Sequence, residues 1–368
     1  MKVTCSKESL LKVISVAENI ISTKNSISVL SNILLEAKEN KIKITASETK
    51  LSFYAEIGAD ILEEGSISIN CNKFYSIAKK LPGEEILISI ENDNIIKIKP
   101  KNNNNIHYNL KGIETDKFPP IKQIEDTEFF SISQEIFSDL ISRTIFAVSQ
   151  NDNRRFVSGI YFEKHDNSIK MVSTDGKRLS FIKKDIAIPD NLDKGIIIPP
   201  KILTETLKLC SGNGDVQIGL TDKNIYVKID NFSFISNLLE GNFPPYEKVI
   251  PYNQTISAKV NKSQLYQALD RISQITDKES HKINLTIFDN KMKLFTEDVT
   301  IGSGEEIIDV ESNVNDFSIF LNYSFVTDVL SVVKKDNVIF EFKDPKNTVT
   351  VREEDNNDFI YIMMPMTS

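Results

Sequence analysis

The chain has 368 residues, of which 40% are hydrophobic and 26% are charged, a composition typical of a globular protein with two or three domains. Its formal net charge of -8 argues at first against a nucleic-acid partner, whose phosphates usually select a basic protein. No run approaches the roughly 18 apolar residues that cross a bilayer, and Cys5, Cys71 and Cys210 are too few and too widely spaced for a disulfide framework or a zinc site. We therefore expect a cytoplasmic protein without membrane contact, in which the three cysteines are buried.

One short pattern recurs six times along the chain and predicts six β-hairpins. Each copy is a polar turn containing Asn, followed by two apolar residues separated by one position, which is the period of a half-buried strand. Alternate turns lie between 123 and 130 residues apart, so the pattern predicts three repeats, each made of two related halves. The turns centre on Asn40, Asn94, Asn167, Asn224, Asn290 and Asn347.

A helix-like segment precedes each hairpin. Apolar residues at helical spacing mark the longer segments, and we expect the third helix to run through Thr144 and Val148. Asn72, Asn261 and Asn322 stand where helix N-caps are expected. The segments cover residues 6–21, 72–81, 133–148, 199–209, 261–275 and 322–335.

Two proline motifs indicate where the repeats end. Phe118-Pro119-Pro120 and Phe243-Pro244-Pro245 recur 125 residues apart, and proline at these points interrupts strand pairing. We therefore predict three domains that cover residues 1–125, 126–251 and 252–368.

Charge is distributed unevenly between the predicted helices and the rest of the chain. The six helix segments carry 12 Lys and Arg against 7 Asp and Glu, whereas the remainder carries 32 against 45. If all the helices faced one side of the repeating sheets, that side would carry a positive field suited to phosphates. The alternative is that lysines merely solvate exposed helix faces, and charge alone does not separate the two.

The stretch from Met171 to Leu179 combines a turn signal with side chains that could bind a partner. Asp175-Gly176 is a strong hairpin signal, because both residues tolerate the backbone of a tight turn. A hydroxyl, two cations and an apolar side chain surround it, from Thr174 to Leu179. We expect two other unusual stretches, Phe243 to Pro251 and Met363 to Met366, to converge on this turn.

Sequence signatures of catalysis are missing. The chain contains no G-x-S-x-G elbow, Walker loop, H-E-x-x-H or EF-hand loop. The Gly-rich piece from Ser211 to Asp215 precedes a strand-like run, so a turn is the better interpretation than a phosphate cradle. We expect a protein that is not an enzyme and holds no cofactor or metal.

Four stretches, taken in order with the three repeats, resemble the bacterial DNA polymerase III beta subunit family, the sliding clamps. The resemblance covers the full chain. The stretches are Val29 to Leu35, Thr174 to Leu179, Gly241 to Pro251 and Tyr361 to Met366.

The resemblance implies an α+β fold of three repeated clamp domains that forms a head-to-tail homodimeric ring, with helices inside and sheets outside. Such a ring encircles double-stranded DNA without reading its sequence. It implies as partners the replicative DNA polymerase, the clamp loader and other proteins that insert a short hydrophobic motif into a pocket between the second and third repeats. A competing interpretation is a repeat-built scaffold that binds proteins only, without encircling DNA.

The resemblance also implies three sets of site residues. The partner pocket would comprise Val157, Thr174, Gly176, Lys177, Arg178, Leu179, Pro244, Lys248, Val249, Ile362, Met364, Pro365 and Met366. By family position the DNA-binding set would comprise Lys24, Lys73, Asn151, Arg154 and Arg155, and we add to it four lysines of the predicted helices, Lys79, Lys80, Lys201 and Lys208. The dimer interface would place Tyr108 and Leu110 opposite Ile275.

The chain departs from the family pattern at the rim of this pocket. Lys177 stands where the family often has His, Glu247 stands where a second basic residue is common, and Thr367-Ser368 replaces a basic and apolar ending. These departures bear on which peptides the pocket prefers.

Overall fold

The computed structural model describes residues 1–21, 31–119, 127–149, 157–165, 167–186 and 195–367. Within these ranges the chain forms an α+β fold of six α-helices and 24 β-strands. None of the helices in this part of the chain is long and apolar enough to span a membrane.

Each predicted helical segment corresponds to one helix, and the second helix begins one residue earlier than predicted. Cys71 at the start of the second helix is buried as expected, and so is Cys5, but Cys210 is partly exposed because it follows the last turn of the fourth helix. The helices cover Lys7–Ile20 (α1), Cys71–Lys80 (α2), Gln134–Ser142 (α3), Pro200–Leu209 (α4), Lys262–Ile272 (α5) and Tyr323–Val332 (α6).

The N-cap predictions are confirmed at two helices and wrong at α2. The side chains of Asn261 and Asn322 accept hydrogen bonds from the backbone N–H groups of Gln264 and Ser324. At α2 the cap is Asn70, whose backbone is extended and whose side chain accepts from Lys73 N, so Asn72 lies inside the first turn. Two asparagines separated by one residue look alike in sequence, and only the backbone conformation decides which one caps.

Helix α3 is shorter than the prediction. It ends at Ser142, and a 3-10 turn follows at Ile145–Ala147, so Thr144 and Val148 lie outside it. The carbonyl groups of Arg143 and Thr144 accept hydrogen bonds from the hydroxyls of Ser180 and Ser173. Hydroxyl groups from neighbouring strands thus donate to the backbone carbonyl groups that would accept intrahelical hydrogen bonds in a longer helix.

Strands make up most of the remaining structure. They are Lys2–Ser6 (β1), Asn32–Lys38 (β2), Lys41–Ser47 (β3), Leu51–Glu63 (β4), Gly65–Asn70 (β5), Glu85–Ile90 (β6), Ile95–Pro100 (β7), Tyr108–Lys111 (β8), Phe129–Ser133 (β9), Ile160–His165 (β10), Ser168–Thr174 (β11), Arg178–Asp185 (β12), Ile196–Ile198 (β13), Asp215–Leu220 (β14), Asn224–Ile229 (β15), Phe232–Asn237 (β16), Ile256–Asn261 (β17), Lys282–Phe288 (β18), Lys291–Asp298 (β19), Gly302–Ser312 (β20), Phe317–Asn322 (β21), Asn337–Phe342 (β22), Val349–Glu353 (β23) and Asn356–Met363 (β24).

All six predicted hairpins are confirmed. The strands that flank each Asn turn pair in the antiparallel sense: β2 with β3, β6 with β7, β10 with β11, β14 with β15, β18 with β19 and β22 with β23. Asn40, Asn94 and Asn290 adopt positive φ angles of 59°, 58° and 56°. Asn tolerates this backbone better than most residues, which explains its repeated use at these turns.

The chain forms two compact units. The first comprises residues 1–135 and 201–238. Its sheet has the strand order β8-β7-β6-β1-β4-β16-β15-β14-β9, and β3, β2 and β5 continue from β4. Helix α1 buries Leu10, Val13, Ile14 and Ala17.

The second unit comprises residues 136–200 and 239–368. Its sheet has the order β13-β10-β11-β12-β24-β23-β22-β17-β20-β19-β18-β21. Both units contain residues from the predicted second domain, and the boundaries at 125 and 251 stay predictions.

The second unit contains a buried cluster of charged side chains. Arg143 donates hydrogen bonds to Asp139 and to Glu353, each at 2.8 Å, and both carboxylates are buried. Lys184 and Lys334 approach Asp139 at 3.0 and 2.8 Å. These pairs satisfy charges that would be costly to bury alone.

Candidate functional site

The turn between β11 and β12 is held by its own side chains. Asp175 Oδ1 accepts hydrogen bonds from the backbone N–H groups of Lys177 and Arg178 at 2.9 and 3.0 Å. Thr174 Oγ1 accepts from Gly176 N and donates to the carbonyl of Arg178. Gly176 has a φ of 88°, a conformation that favours glycine. The predicted hairpin at Asp175-Gly176 is therefore confirmed.

Arg178 fixes this turn in place instead of offering a free charge. Its guanidinium donates to Asp175 at 3.0 Å, to Asp328 at 2.5 Å and to the carbonyl of Phe146 at 2.8 Å. It also lies 4.4 Å from the ring centroid of Phe325. Two carboxylates thus neutralise the cation, and these contacts hold the guanidinium beside the turn.

The C-terminal segment passes beside the same turn. Met364 N donates a hydrogen bond to the carbonyl of Lys177 at 2.9 Å, and Met366 N donates to the carbonyl of Phe320 in β21 at 2.8 Å. The three stretches that were expected to converge do so within the second unit.

An apolar cavity of about 180 Å³ opens where these stretches meet. Met364 and Val249 on its wall are 49% and 45% exposed, so both side chains are available to a ligand. The lining residues are Val157, Thr174, Gly176, Lys177, Arg178, Leu179, Phe243, Pro244, Tyr246, Val249, Thr348, Ile362 and Met364.

Three residues of the predicted pocket lie outside this lining. Lys248 belongs to a 3-10 turn, Tyr246–Lys248, and is exposed. Pro365 and Met366 lie away from the cavity because the backbone N–H of Met366 donates a hydrogen bond to β21. The other ten predicted residues are brought together by the fold, and their role in binding a partner stays a prediction.

Sequence reasoning missed three lining residues, Phe243, Tyr246 and Thr348. Phe243 and Tyr246 lie in the stretch from Phe243 to Pro251, which is expected to converge on the turn, and their aromatic side chains are a signal for an apolar wall. Thr348 offered no such signal, since it reaches the cavity only through the pairing of β23 with β24.

A buried cluster forms the floor of the cavity. Tyr246 is 3% exposed, and its hydroxyl donates to Glu163 Oε1 at 2.5 Å. Burial and this carboxylate raise the pKa of Tyr246, so the phenol stays protonated and keeps its hydrogen bond. The cluster comprises Val172, Leu179, Phe181, Tyr246, Ile250, Ile360 and Ile362.

The predicted DNA-binding lysines differ in how free their charges are. Lys73, Lys79 and Lys80 are exposed on α2, and within the described ranges they form no ion pair. Lys201 Nζ instead donates to Glu48 Oε2 at 2.6 Å and to a backbone carbonyl, and Lys208 Nζ lies 2.7 Å from Glu205. These two cations are largely neutralised. Lys24, Asn151, Arg154 and Arg155 lie outside the described residues.

Two of the predicted interface residues lie on an edge strand, and the third lies beside β20. Tyr108 is 49% exposed and Leu110 is half-buried on β8, the outermost strand of its sheet. Ile275 follows α5, and its Cδ1 lies 3.3 Å from the position that a Cβ on Gly304 of β20 would take.

Three family models match consecutive parts of the chain. They describe the N-terminal domain of the DNA polymerase III beta subunit over residues 1–122, the central domain over 131–245 and the C-terminal domain over 247–367.

Full-length relatives agree. The beta sliding clamp of Treponema pallidum is 33% identical over 370 residues, which covers 100% of this chain and 99% of the relative. The beta sliding clamp of Pseudomonas aeruginosa is 28% identical, with 100% of both chains covered.

Solved structures share the fold over the whole chain. The DNA polymerase III subunit beta from Borrelia burgdorferi, in complex with a natural product, superposes with a TM-score of 0.94 at 26% identity and covers 100% of this chain and 98% of that one. The Pseudomonas aeruginosa subunit gives 0.92 at 28% identity, with both chains fully covered. The three consecutive domains and the full-length relatives show that the chain belongs to the DNA polymerase III beta subunit family, the beta sliding clamps.

Proposed function

We propose that the protein works as a DNA sliding clamp in which two copies join head to tail into a closed ring around duplex DNA. The ring performs no chemistry; it tethers the replicative polymerase and so makes synthesis processive. The observation that carries this proposal is a pairing between strands of neighbouring repeats, which we call a strand joint. It occurs twice within the chain. In the described part of the chain, the first and the third repeat each keep one strand edge of the same kind unpaired.

The two internal joints follow one rule. The last strand of the second repeat, β16, pairs with β4 of the first repeat, so that Ile235 lies opposite Ser52. The last strand of the third repeat, β24, pairs with β12 of the second, so that Ile362 lies opposite Leu179. The last strand of each repeat therefore adds to a sheet of the repeat before it.

A third joint would need a second copy. The last strand of the first repeat is β8, and among the described strands it pairs only with β7. Its expected acceptor is β20 of the third repeat, which pairs with β17 only through Val310, Glu311 and Ser312. Residues 302–309 of β20 thus face no strand on that side in the described part of the chain. A heterologous contact of this kind closes a ring if the rotation permits.

The repeat also predicts the register of the third joint. Residues of different repeats can be matched by the residue that they face on the preceding strand. On this basis Asn109 occupies the position in β8 that Ile235 occupies in β16. Matched in the same way, Ser303 occupies the position in β20 that Ser52 occupies in β4. We therefore expect Asn109 of one copy to lie opposite Ser303 of the other, which brings Tyr108 next to Ile275.

Exposed apolar side chains support an interface at these edges. Val299 and Ile301, both in the turn before β20, are 101% and 64% exposed, and Tyr108 on β8 is also exposed. Burying them between two copies would contribute roughly 1.5 to 3 kcal/mol for each large side chain. Open strand edges with apolar flanks are otherwise a liability for aggregation.

The charge distribution supports sequence-independent contact with DNA. Free cations stand on α2 while the chain as a whole carries a net charge of -8. A few lysines on helices suit phosphates, whereas an acidic body disfavours tight contact binding. Retention on DNA would then depend on enclosure more than on affinity.

The apolar cavity is the proposed site for the partners. Its size and exposed Met364 suit the apolar side chains of a short peptide, and methionine adapts to several ligands. We propose that the polymerase, the clamp loader and other replication proteins insert a hydrophobic motif here. The cytoplasmic location expected from the sequence likewise stays a prediction.

Retention on circular and linear DNA tests this function. The protein is loaded onto nicked circular DNA by a clamp loader with ATP, washed at about 1 M salt, where charges are screened beyond about 3 Å, and the circle is then cut once. We expect retention on the circle and release after the cut, because a ring slides off an end. Equal retention on linear DNA would indicate contact binding, and no binding in any form would favour a scaffold for proteins alone.

A further inference from the structure

An aromatic and acidic surface continues from one end of the apolar cavity. We call it the aromatic-acidic patch and define it by Tyr161, Glu163, Phe243, Tyr246 and Glu247. Phe243 and Tyr246 also line the cavity, so the patch and the cavity form one continuous surface. A peptide seated in the cavity would therefore extend over the patch.

The aromatic rings of the patch are arranged as a compact group. Tyr161 and Phe243 stack with centroids 4.8 Å apart and planes 10° apart. The ring of Tyr246 lies 6.2 Å from Tyr161 and 6.5 Å from Phe243. Tyr161 and Phe243 are only partly buried, so part of the stacked pair faces outwards. An exposed aromatic face attracts a cation held over it.

One carboxylate of the patch is already committed. Glu163 accepts the hydrogen bond from Tyr246, and Lys170 Nζ lies 3.5 Å from the same oxygen. Glu163 therefore holds Tyr246 in place and has one cation to balance it.

The other carboxylate of the patch, that of Glu247, has no neighbouring cation to balance its charge in the described part of the chain. Glu247 is exposed in the 3-10 turn, between the lining residues Tyr246 and Val249, and no cation of the described chain lies within 4.0 Å of its carboxylate. Burial, Glu163 and Glu247 raise the pKa of Tyr161 to about 12, which agrees with negative charge gathered around this ring. Lys248 is exposed next to Glu247 and lies outside the cavity lining, and Lys177 lines the cavity at the β11–β12 turn.

We propose that Glu247, together with the stacked pair of Tyr161 and Phe243, selects a partner segment that carries Lys or Arg beside its apolar anchor. This inference rests on the proposed use of the cavity by partner peptides. The cation of the segment lies against the aromatic pair while its charge faces Glu247, which supplies the counter-ion that the patch lacks.

The strand register predicts the spacing between anchor and cation. Thr174 lines the cavity, and Val172, two residues earlier on β11, lies opposite Tyr161. Two residues of a strand span about 7 Å. A peptide that runs extended alongside β11 would therefore place its Lys or Arg about two residues from the apolar anchor.

Three synthetic peptides test the inference. They share a Leu-Leu anchor and carry Lys, Gln or Glu two residues away, in separate series on each side of the anchor. We expect the parent protein to bind the Lys peptide about twofold to fivefold more tightly than the Glu peptide on one side only, with the Gln peptide between them. Glu247→Lys should reverse that order, and Glu247→Gln should reduce the preference to the part that the aromatic pair alone supplies.

A matched control separates this effect from net charge. Glu84→Lys makes the same change on an exposed carboxylate of the first unit and should leave the preference unchanged. Equal binding of the three peptides by the parent, or an unchanged preference in Glu247→Lys, would overturn the inference while leaving the cavity as a peptide site. Failure of all three peptides to bind would reject the cavity itself and this inference with it.

Discussion

Met364 is the residue at which peptide binding can be separated from folding. It is 49% exposed on the cavity wall, whereas Leu179, which also lines the cavity, is 5% exposed and belongs to the core. We expect Met364→Ala to weaken a hydrophobic peptide by about 2 kcal/mol and to leave the free energy of unfolding nearly unchanged. Leu179→Ala should also lower the free energy of unfolding, by about 2 to 5 kcal/mol.

Fluorescence titration and chemical denaturation check both expectations. Met364→Leu, which conserves volume, should retain most of the affinity. If Met364→Ala binds the peptide as tightly as the parent does, the cavity is not the docking site.

Asp139 links the stability of the second unit to pH. Burial disfavours its charged form, but hydrogen bonds from Lys334, Arg143 and Lys184 outweigh burial and lower the pKa to about 2. Because the folded pKa lies below the ordinary value, the carboxylate stabilises the fold above about pH 4, and this contribution is lost as the pH falls through about 2.

Asp139→Asn should therefore lower the free energy of unfolding by about 2 kcal/mol or more near pH 7, and less as the solution becomes more acidic. Urea denaturation of parent and variant between about pH 7 and pH 3 measures the gap. A gap that stays constant over this range would mean that the ion cluster does not carry the pH dependence.

At the scale of single elements, α2 carries three lysines whose charges are free to meet phosphates. Lys73, Lys79 and Lys80 are exposed and lack ion pairs in the described ranges. Changing them to Gln should flatten the log–log salt dependence of duplex binding by about 0.9 for each lysine that contacts a phosphate. Lys201→Gln is the control, because Glu48 already neutralises that cation. Equal salt slopes for all variants would exclude α2 from DNA contact.

Elements were largely predictable because their signals are local. A turn with Asn followed by alternating apolar residues predicts a hairpin wherever it occurs, and all six hairpins form. The end of α3 was not predictable, since it depends on hydroxyls from β11 and β12 that approach only after folding. The same applies to Thr348, which reaches the cavity through strand pairing, and to Lys201, whose partner Glu48 is distant in sequence.

At the scale of the whole molecule, the central claim is that β8 of one copy joins β20 of another and so closes the ring. The repeat supplies both the partner and the register, because β16 with β4 and β24 with β12 show the same joint twice. Sequence reasoning named Tyr108, Leu110 and Ile275 by resemblance, whereas the pairing of Asn109 with Ser303 follows only from the observed strand register.

Cysteine cross-linking tests this claim most directly. Residues directly opposite in an antiparallel pair have Cα atoms about 4.5 to 5.5 Å apart, within the range that a disulfide bridges. In a Cys210→Ser background, which removes the partly exposed native thiol, Asn109→Cys with Ser303→Cys is loaded onto nicked circular DNA, oxidised and denatured. We predict a covalent dimer that stays on the circle in denaturant and is freed by one cut. Cross-linking that is no better than for Asn109→Cys with Glu305→Cys, two residues out of register, or loss of the oxidised dimer from intact circles, would contradict the account.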